Sequence, residues 1–213
     1  MASVSALTNF AINKIQDALW RAQALGAPAT LFFAAIRGKV GTSGLWLATT
    51  AYVVGDLIVP VTHNGRVYRC TVAGTTAASQ PTFPTTDGGT VVDGTVTWTE
   101  MTPSFDANTN LTEPSGGAYA RASLTASLAN ISGTQGAGTT VASSGTSGQV
   151  SINAALNFAT ATADWGPILA IVVFDALTVG NAWEWQVNDA PIQITTGATL
   201  QISVNTGWVF KIT

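Results

Sequence analysis

The first regular pattern of apolar residues predicts an amphipathic helix over residues 5–25. Its apolar positions recur at spacings of three and four, which places them on one stripe of a helix. The stripe consists of Leu7, Phe10, Ala11, Ile15, Ala18, Leu19, Ala22 and Leu25. Ser5 can cap the first turn, and Gly26 followed by Pro28 can end the helix. We expect the stripe to pack against the protein's own sheet or against a neighbouring subunit.

After this helix the pattern changes to short strands separated by turn residues. Apolar or alternating segments bounded by Gly, Asn, Asp and Pro are typical of antiparallel sheets. The predicted strands cover residues 29–36, 57–61, 66–72, 90–99, 118–129, 150–158, 168–175, 182–187, 190–194 and 199–204. Asn64-Gly65 fits a two-residue hairpin turn, because both residues tolerate positive φ. Residues 132–148, rich in Gly, Ser and Thr, are predicted to form a long mobile loop.

One predicted strand, residues 168–174, is apolar on both faces. Such a strand must be covered on two sides, by a second sheet or by a neighbouring molecule. We expect the N-terminal helix to cover one of the two faces. The predicted fold is mainly β, an antiparallel β-sandwich or partly open barrel with an N-terminal helix, plus a small inserted all-β domain.

Two changes in composition divide the chain. Glycines interrupt the pattern just before Leu45, and residues 102–117, rich in Pro, Thr, Asn and Gly, read as an exit linker. We therefore predict a main domain made of residues 1–44 plus 104–213 and an inserted small β module at 45–103. Because the ends of an insert usually lie close together, the module is expected to be removable without unfolding the remainder.

Charged residues are scarce. The 213 residues include 8 Lys+Arg, 11 Asp+Glu and one His, which is 9% charged, against about 25% in an average soluble domain. With 46% hydrophobic residues, the chain is expected to bury surface against copies of itself or against partners. Lys and Arg form no cluster, so nucleic acid is not an expected partner. No apolar run reaches the ~20 residues that span a bilayer, so a membrane is not expected either.

The residues give little support for catalysis. A Ser–His or Cys–His arrangement would have to use His63, which lies beside the predicted Asn64-Gly65 turn. Cys70 lies in a predicted strand and, as the one cysteine, allows neither a disulfide within this chain nor a zinc-binding set. Most Asp and Glu residues lie in turn contexts. We therefore expect no enzyme, no cofactor and no metal site.

Five segments follow one recognisable order along the chain. They are LTNFAINKIQDALW at 7–20, APATLFFAAI at 27–36, LTEPSGGAYARASL at 111–124, NFATATADWGPILAIVVFDA at 157–176 and TTGATLQIS at 195–203. This order resembles a family of small phage virion proteins of the tail-fibre-like or capsid decoration type. The resemblance covers about residues 1–40 and 110–213 and brings no catalytic motif with it.

The resemblance implies a structural protein of the phage virion, made in the host cytoplasm and displayed on the outside of the particle. The favoured role is a homotrimeric capsid decoration or cement protein, also described as a head fibre, that contacts the major capsid protein or other virion proteins. A tail-fibre or tail-knob subunit is the alternative.

The insert carries a second resemblance, through TTAYVVGDLIVPVTHNGRVYRC at 49–70 and the later VTW at 96–98. It resembles small β modules of phage structural proteins and, more distantly, chitin- and cellulose-binding modules, in which exposed aromatic rings stack on sugars. The candidate glycan-contact residues are Trp46, Tyr52, Tyr68, Phe83 and Trp98. A host-glycan-binding adhesin is therefore a third hypothesis. The alternative is that these rings form the core of the module.

Trp183 and Trp185 alternate along a predicted strand, which would place both on one face. Aromatic residues are enriched at protein interfaces. The candidate interface anchors are these two tryptophans together with Phe10, Ile15 and Leu19 of the helix. Packing inside the chain's own core is the alternative.

Overall fold

The computed structural model describes residues 5–133, 149–203 and 209–211. Its helices are α1 (Asn9–Trp20) and α2 (Thr102–Asp106). Its strands are β1 (Ser5–Leu7), β2 (Thr30–Arg37), β3 (Ala51–Tyr52), β4 (Leu57–Ile58), β5 (Tyr68–Val72), β6 (Gly74–Thr75), β7 (Thr90–Asp93), β8 (Val96–Glu100), β9 (Ala122–Thr125), β10 (Ile131–Ser132), β11 (Gln149–Ile152), β12 (Leu156–Asn157), β13 (Gly166–Phe174), β14 (Ala182–Ile194), β15 (Gln201–Ile202) and β16 (Val209–Lys211). Nearly all of the predicted mobile loop, residues 134–148, lies outside the described residues.

The centre of the structure is a five-stranded antiparallel sheet in the order β1-β14-β13-β2-β9. β13 lies in the middle and is buried at every one of its nine residues. It pairs with β14 on one side and with β2 on the other. The predicted mainly β, antiparallel fold with an N-terminal helix is confirmed.

One face of this sheet is covered by the chain that surrounds β11, β12 and β15. Their side chains form a single apolar cluster with those of the sheet. From the sheet the cluster takes Phe33, Ala35, Ala122, Ile168, Ile171, Val173 and Ile194, and from the covering segments Ile152, Leu156, Phe158, Ala161, Trp165, Leu200 and Ile202.

The opposite face is covered by the insert. Leu57, Val59 and Val67 belong to one buried cluster with Ile36, Leu169 and Val172 of the sheet. Met101 and Phe105, which follow the last strand of the insert, complete this layer. Both faces of β13 are therefore covered within one chain, and α1 covers neither of them.

Alternation along two strands lets the insert face the sheet and still keep a core of its own. In β4, Leu57 packs towards the central sheet and Ile58 towards the interior of the insert. Val67, just before β5, packs towards the central sheet, and Tyr68, the first residue of β5, packs towards the interior of the insert. Successive residues of a strand point to opposite sides, so one thin layer of chain separates two cores.

Two glycines permit the close approach of the insert to the sheet. A Cβ atom on Gly38 would lie 2.9 Å from the carbonyl oxygen of Leu57, and one on Gly44 would lie 2.7 Å from a side-chain atom of Pro167. Gly44 also has a φ of +82°, which disfavours any other residue.

The strands of the insert pair with one another in the order β4-β5-β8-β7, with a separate β3-β6 pair. Asp93, which is 2% exposed, holds the middle of the insert. Its Oδ2 accepts hydrogen bonds from the indole nitrogens of Trp46 at 2.7 Å and Trp98 at 3.0 Å. Its Oδ1 accepts one from the amide of Ala77 at 2.9 Å. One carboxyl group thus satisfies three donors in the interior.

The GGAYAR segment of the family-like pattern forms a second polar centre. The guanidinium of Arg121 pairs with Glu113 at 2.7 Å and donates to the carbonyl oxygens of Ala176 and Val179 at 2.9 and 2.8 Å. The Tyr119 hydroxyl donates to Glu113 at 2.7 Å. We name Glu113, Tyr119 and Arg121 the clasp, because they tie the segment before β9 to the turn between β13 and β14.

Several sequence predictions of individual elements were wrong. The helix begins after Thr8, whose side chain caps it, because the residues from Ser5 onward pair with β14 as an edge strand. Between β4 and β5 the chain runs through a loop at 59–67 instead of a two-residue turn at Asn64-Gly65. The expected exit linker contains α2, held by the buried ring of Phe105. β14 is one strand of 13 residues where two were predicted.

The shared cluster leads to a different expectation for the removal of residues 45–103. Fully burying a large apolar side chain contributes about 1.5–3 kcal/mol. The insert buries four of them in this cluster, Leu57, Val59, Val67 and Met101, and together they approach the ~5–15 kcal/mol that stabilises a whole domain. Deleting 45–103 should therefore leave an insoluble or unfolded remainder. Circular dichroism and solubility of the deletion variant measure this, and a soluble, cooperatively folded remainder would contradict it.

A matched pair of single variants isolates the same contact. Val59 is 1% exposed and faces the sheet, whereas Val61, two residues on, is 58% exposed. Val59→Ala should lower the free energy of unfolding by about 2 kcal/mol, and Val61→Ala by less than ~0.5 kcal/mol. Urea denaturation measures the free energy of unfolding of both variants. Equal losses would show that the contact between the insert and the central sheet contributes little to stability.

Removing the Asp93 carboxyl group should be costly as well. Asp93→Ala leaves two indole N–H groups and one amide without their acceptor, at roughly 1–3 kcal/mol for each buried group. We expect a loss of about 3 kcal/mol or more in urea denaturation. Asp189→Ala, at an exposed position, is the control and should change stability little; similar losses in both variants would refute the role of Asp93.

Candidate interaction surfaces

The residues proposed to bind sugar lie inside the insert. Trp46, Tyr52, Tyr68, Phe83 and Trp98 are all buried and form one cluster. The rings of Tyr52 and Trp98 meet edge to face at 4.8 Å, and those of Tyr68 and Phe83 lie 4.5 Å apart. Burial also raises the pKa of Tyr52 to about 12. None of these five rings presents an open face on which a sugar could stack, which corrects their assignment as glycan contacts.

Trp185 is likewise a core residue and not a surface anchor. It is 2% exposed, its ring stacks on Phe105 at 5.0 Å, and its indole nitrogen donates to Asp106 at 3.1 Å. The pairing register of β14 shifts at Trp183, between the Val173–Glu184 and Phe174–Ala182 pairs, so the regular alternation assumed for Trp183 and Trp185 is interrupted there. The ring of Trp183 instead meets the ring of Phe10 on α1.

The first turn of α1 is fixed to the edge of the central sheet. β1 pairs with β14, and the backbone amide of Thr8 donates to the carbonyl oxygen of Trp183 at 3.0 Å. The buried Thr8 hydroxyl accepts from the amide of Ala11 and donates to the carbonyl oxygen of Ala182. This cap determines where the helix starts and how it leaves the sheet.

The inner side of α1 contacts the chain's own domain near its start. Phe10 meets Trp183 edge to face at 5.3 Å, and the ammonium group of Lys14 lies 5.7 Å from the centre of the Phe10 ring. Ala11 is the one fully buried residue of the helix. Phe10 is therefore an anchor within its own chain.

The outer side of α1 exposes large apolar side chains. Leu19 is 67% exposed and Trp20 is 81% exposed, while Ile12 is 37% exposed and Ile15 is half-buried. The nine residues that follow the helix are also largely exposed up to the start of β2. Of the five predicted anchors, Ile15 and Leu19 lie on this surface. The sequence analysis missed Ile12 and Trp20, although Ile12 lies three residues before Ile15 on the same side of the helix.

A second exposed row lies on the outer face of the insert. Val72 and Val92 flank Thr97 on adjacent strands, and Val92 is 70% exposed. The hydroxyl groups of Thr71 on β5 and Thr99 on β8 form a hydrogen bond of 3.0 Å.

His63 and Cys70, the two residues considered for nucleophilic catalysis, are held within the fold. The Nδ1 atom of His63 accepts from the amide of Gly65 at 3.3 Å, and burial lowers the pKa of the ring. Cys70 is buried, and burial raises the pKa of its thiol. Among the described residues, no three His, Cys, Asp or Glu side chains gather as a metal site would require. In the same part of the chain, neither helix has the length and apolar character needed to cross a bilayer.

Comparison with protein families gives one match. The model of the family described as podophage GP4 fiber I protein gp80 matches residues 95–207. That range runs from the end of the insert through the clasp and the central strands β13 and β14. A search of curated proteins finds no match. Because residues 95–207 are more than half of the chain, this protein belongs to the podophage GP4 fiber I protein gp80 family and is a fibre-type structural protein of a phage virion.

Proposed function

We propose that the protein is a homotrimeric subunit displayed on the outside of a phage particle, held there through apolar contacts. The observation that carries this proposal is the contrast between a sheet covered on both faces by its own chain and a helix α1 whose outer side is apolar and exposed. Surface of this kind is typical of a site that contacts another protein.

The distribution of charge supports attachment without ion pairs. Lys39, Arg66 and Arg121 each pair with a carboxylate of the same chain. Asp17 and Arg21 form an exposed pair within α1 at 2.8 Å. These charges are neutralised within the chain, and we expect contacts with the major capsid protein or with another virion protein to be mainly apolar or made by backbone hydrogen bonds.

Two observations bear on the proposed position on the particle. The order of segments along the chain favours a decoration or cement protein of the head, and the family description favours a fibre. A head fibre satisfies both, with a tail fibre as the second candidate. None of the five candidate rings of the insert is exposed, so we do not propose a glycan-binding role.

The trimer is tested by multi-angle light scattering on the purified protein. At micromolar concentration we expect three times the chain mass. The mass should stay the same between low salt and about 1 M salt, because screening weakens only exposed charge–charge attraction. A monomer at all concentrations would refute the trimer, and dissociation by salt would refute apolar assembly.

The position is tested on intact particles. Gold-labelled antibodies against this protein, viewed by electron microscopy, should mark the head at regularly spaced sites. Particles that lack the protein are the control for background labelling. Label confined to the tail would replace the head assignment by a tail fibre, and absence of label from particles that contain the protein by mass spectrometry would refute exterior display.

A further inference from the structure

We propose that Asn64 is a site of self-modification by deamidation. The backbone nitrogen of Gly65 attacks the Asn64 side chain, which becomes aspartate or isoaspartate through a succinimide ring. Asn64 is the one asparagine of the chain that is followed by glycine, and glycine has no Cβ atom to hinder a close approach of its own backbone. The inference is independent of the proposed homotrimer, because all the reacting groups lie in one loop of one chain.

The loop at 59–67 folds the Asn64 side chain over the backbone of Gly65. Asn64 Oδ1 accepts a hydrogen bond from the amide of Arg66 at 3.1 Å, the local turn in which an asparagine side chain bonds to the backbone two residues on. Gly65 has a φ of +80°, which glycine adopts without strain. The attacking nitrogen of Gly65 and the Cγ atom of Asn64 therefore belong to the same small hydrogen-bonded ring.

His63 is placed to take the proton that must leave the Gly65 nitrogen. The amide of Gly65 donates to Nδ1 of His63 at 3.3 Å. A side chain within hydrogen-bond reach of a proton can remove it as a general base while the new bond forms. Burial lowers the pKa of the imidazole, so the ring is neutral near neutral pH and Nδ1 has a free lone pair.

Two further hydrogen bonds lie at atoms that the reaction changes. Negative charge develops on Oδ1 of Asn64 as the nitrogen adds to Cγ, and the Arg66 amide that donates to Oδ1 stabilises this charge. Nδ2 of Asn64, the leaving nitrogen, donates to the hydroxyl group of Tyr68 at 2.7 Å, which fixes the orientation of the side-chain amide. The nucleophile, the oxygen and the leaving nitrogen thus each have a defined partner.

Water is the one co-reactant that the bond changes require. The Gly65 nitrogen forms a bond to Cγ of Asn64, and its proton moves to Nδ1 of His63. The bond between Cγ and Nδ2 then breaks, and the imidazolium returns the proton to the departing nitrogen, which leaves as ammonia. Asn64 is partly exposed, so water can open the succinimide at either carbonyl. The net change replaces the side-chain NH2 by OH.

Peptide mapping by mass spectrometry tests the reaction in the purified full chain during incubation at neutral pH. We expect the mass change from NH2 to OH, and isoaspartate, at residue 64, at a higher rate in the folded chain than in the same chain unfolded in urea. Asn110, which is exposed and precedes leucine, is the internal reference and should change far less. A lower rate in the folded chain than in urea would show that the fold protects Asn64, and the inference would be wrong.

Matched variants test His63 as the base. His63→Ala should slow the reaction by ~10-fold or more, since a positioned general base contributes about 10²–10⁴-fold. His63→Gln should be equally slow, because its side-chain oxygen can accept the Gly65 hydrogen bond but cannot take the proton. Thr62→Ala, at the exposed neighbouring position, should keep the wild-type rate, and circular dichroism checks that each variant is folded.

The remaining outcomes overturn the role of His63. A wild-type rate in His63→Gln would show that the imidazole only holds the loop in place, and this variant decides the question even if His63→Ala does not fold. An equal loss of rate in Thr62→Ala would mean that any change in the loop slows the reaction. Asn64→Gln, which removes the reacting side chain, should abolish the product, and a product that persists would place the modification at another residue.

Discussion

The rest of the structure depends on the burial of β13 on both faces. Its nine residues carry no charge and none is exposed, so the sheet cannot present either side to water without a large loss of apolar burial. One side is covered by the segments around β12 and β15, the other by the insert. The insert is therefore a structural layer of the domain as well as a module with a core of its own.

Polar groups hold these layers at defined points. Asp93 satisfies two indoles and an amide in the insert, and the clasp of Glu113, Tyr119 and Arg121 ties the chain before β9 to the turn after β13. Burial and the neighbouring Glu113 raise the pKa of Tyr119, which keeps its hydroxyl protonated as a donor. These acidic and basic side chains stabilise the fold through hydrogen bonds and ion pairs within the chain.

In this fibre-type virion protein, residues that are buried within the chain are not available for contacts with other copies. The strand that most strongly suggested assembly with other copies is satisfied within the chain, and so is Trp185. Exposed apolar side chains remain on α1, outside the part of the chain that the family model matches, and on the outer face of the insert.

The sequence by itself determined the β character, the position of the helix and the two-sided burial of β13, because spacing of apolar residues and turn residues act over a few positions. It also indicated a phage virion protein through the order of its segments. Only the tertiary structure decided what covers β13, which tryptophans are buried and where α1 is exposed. These depend on contacts between residues far apart in the chain: Leu57 with Leu169, and Thr8 with Ala182. A local pattern shows that a side chain needs an apolar partner, but not whether its own chain provides that partner.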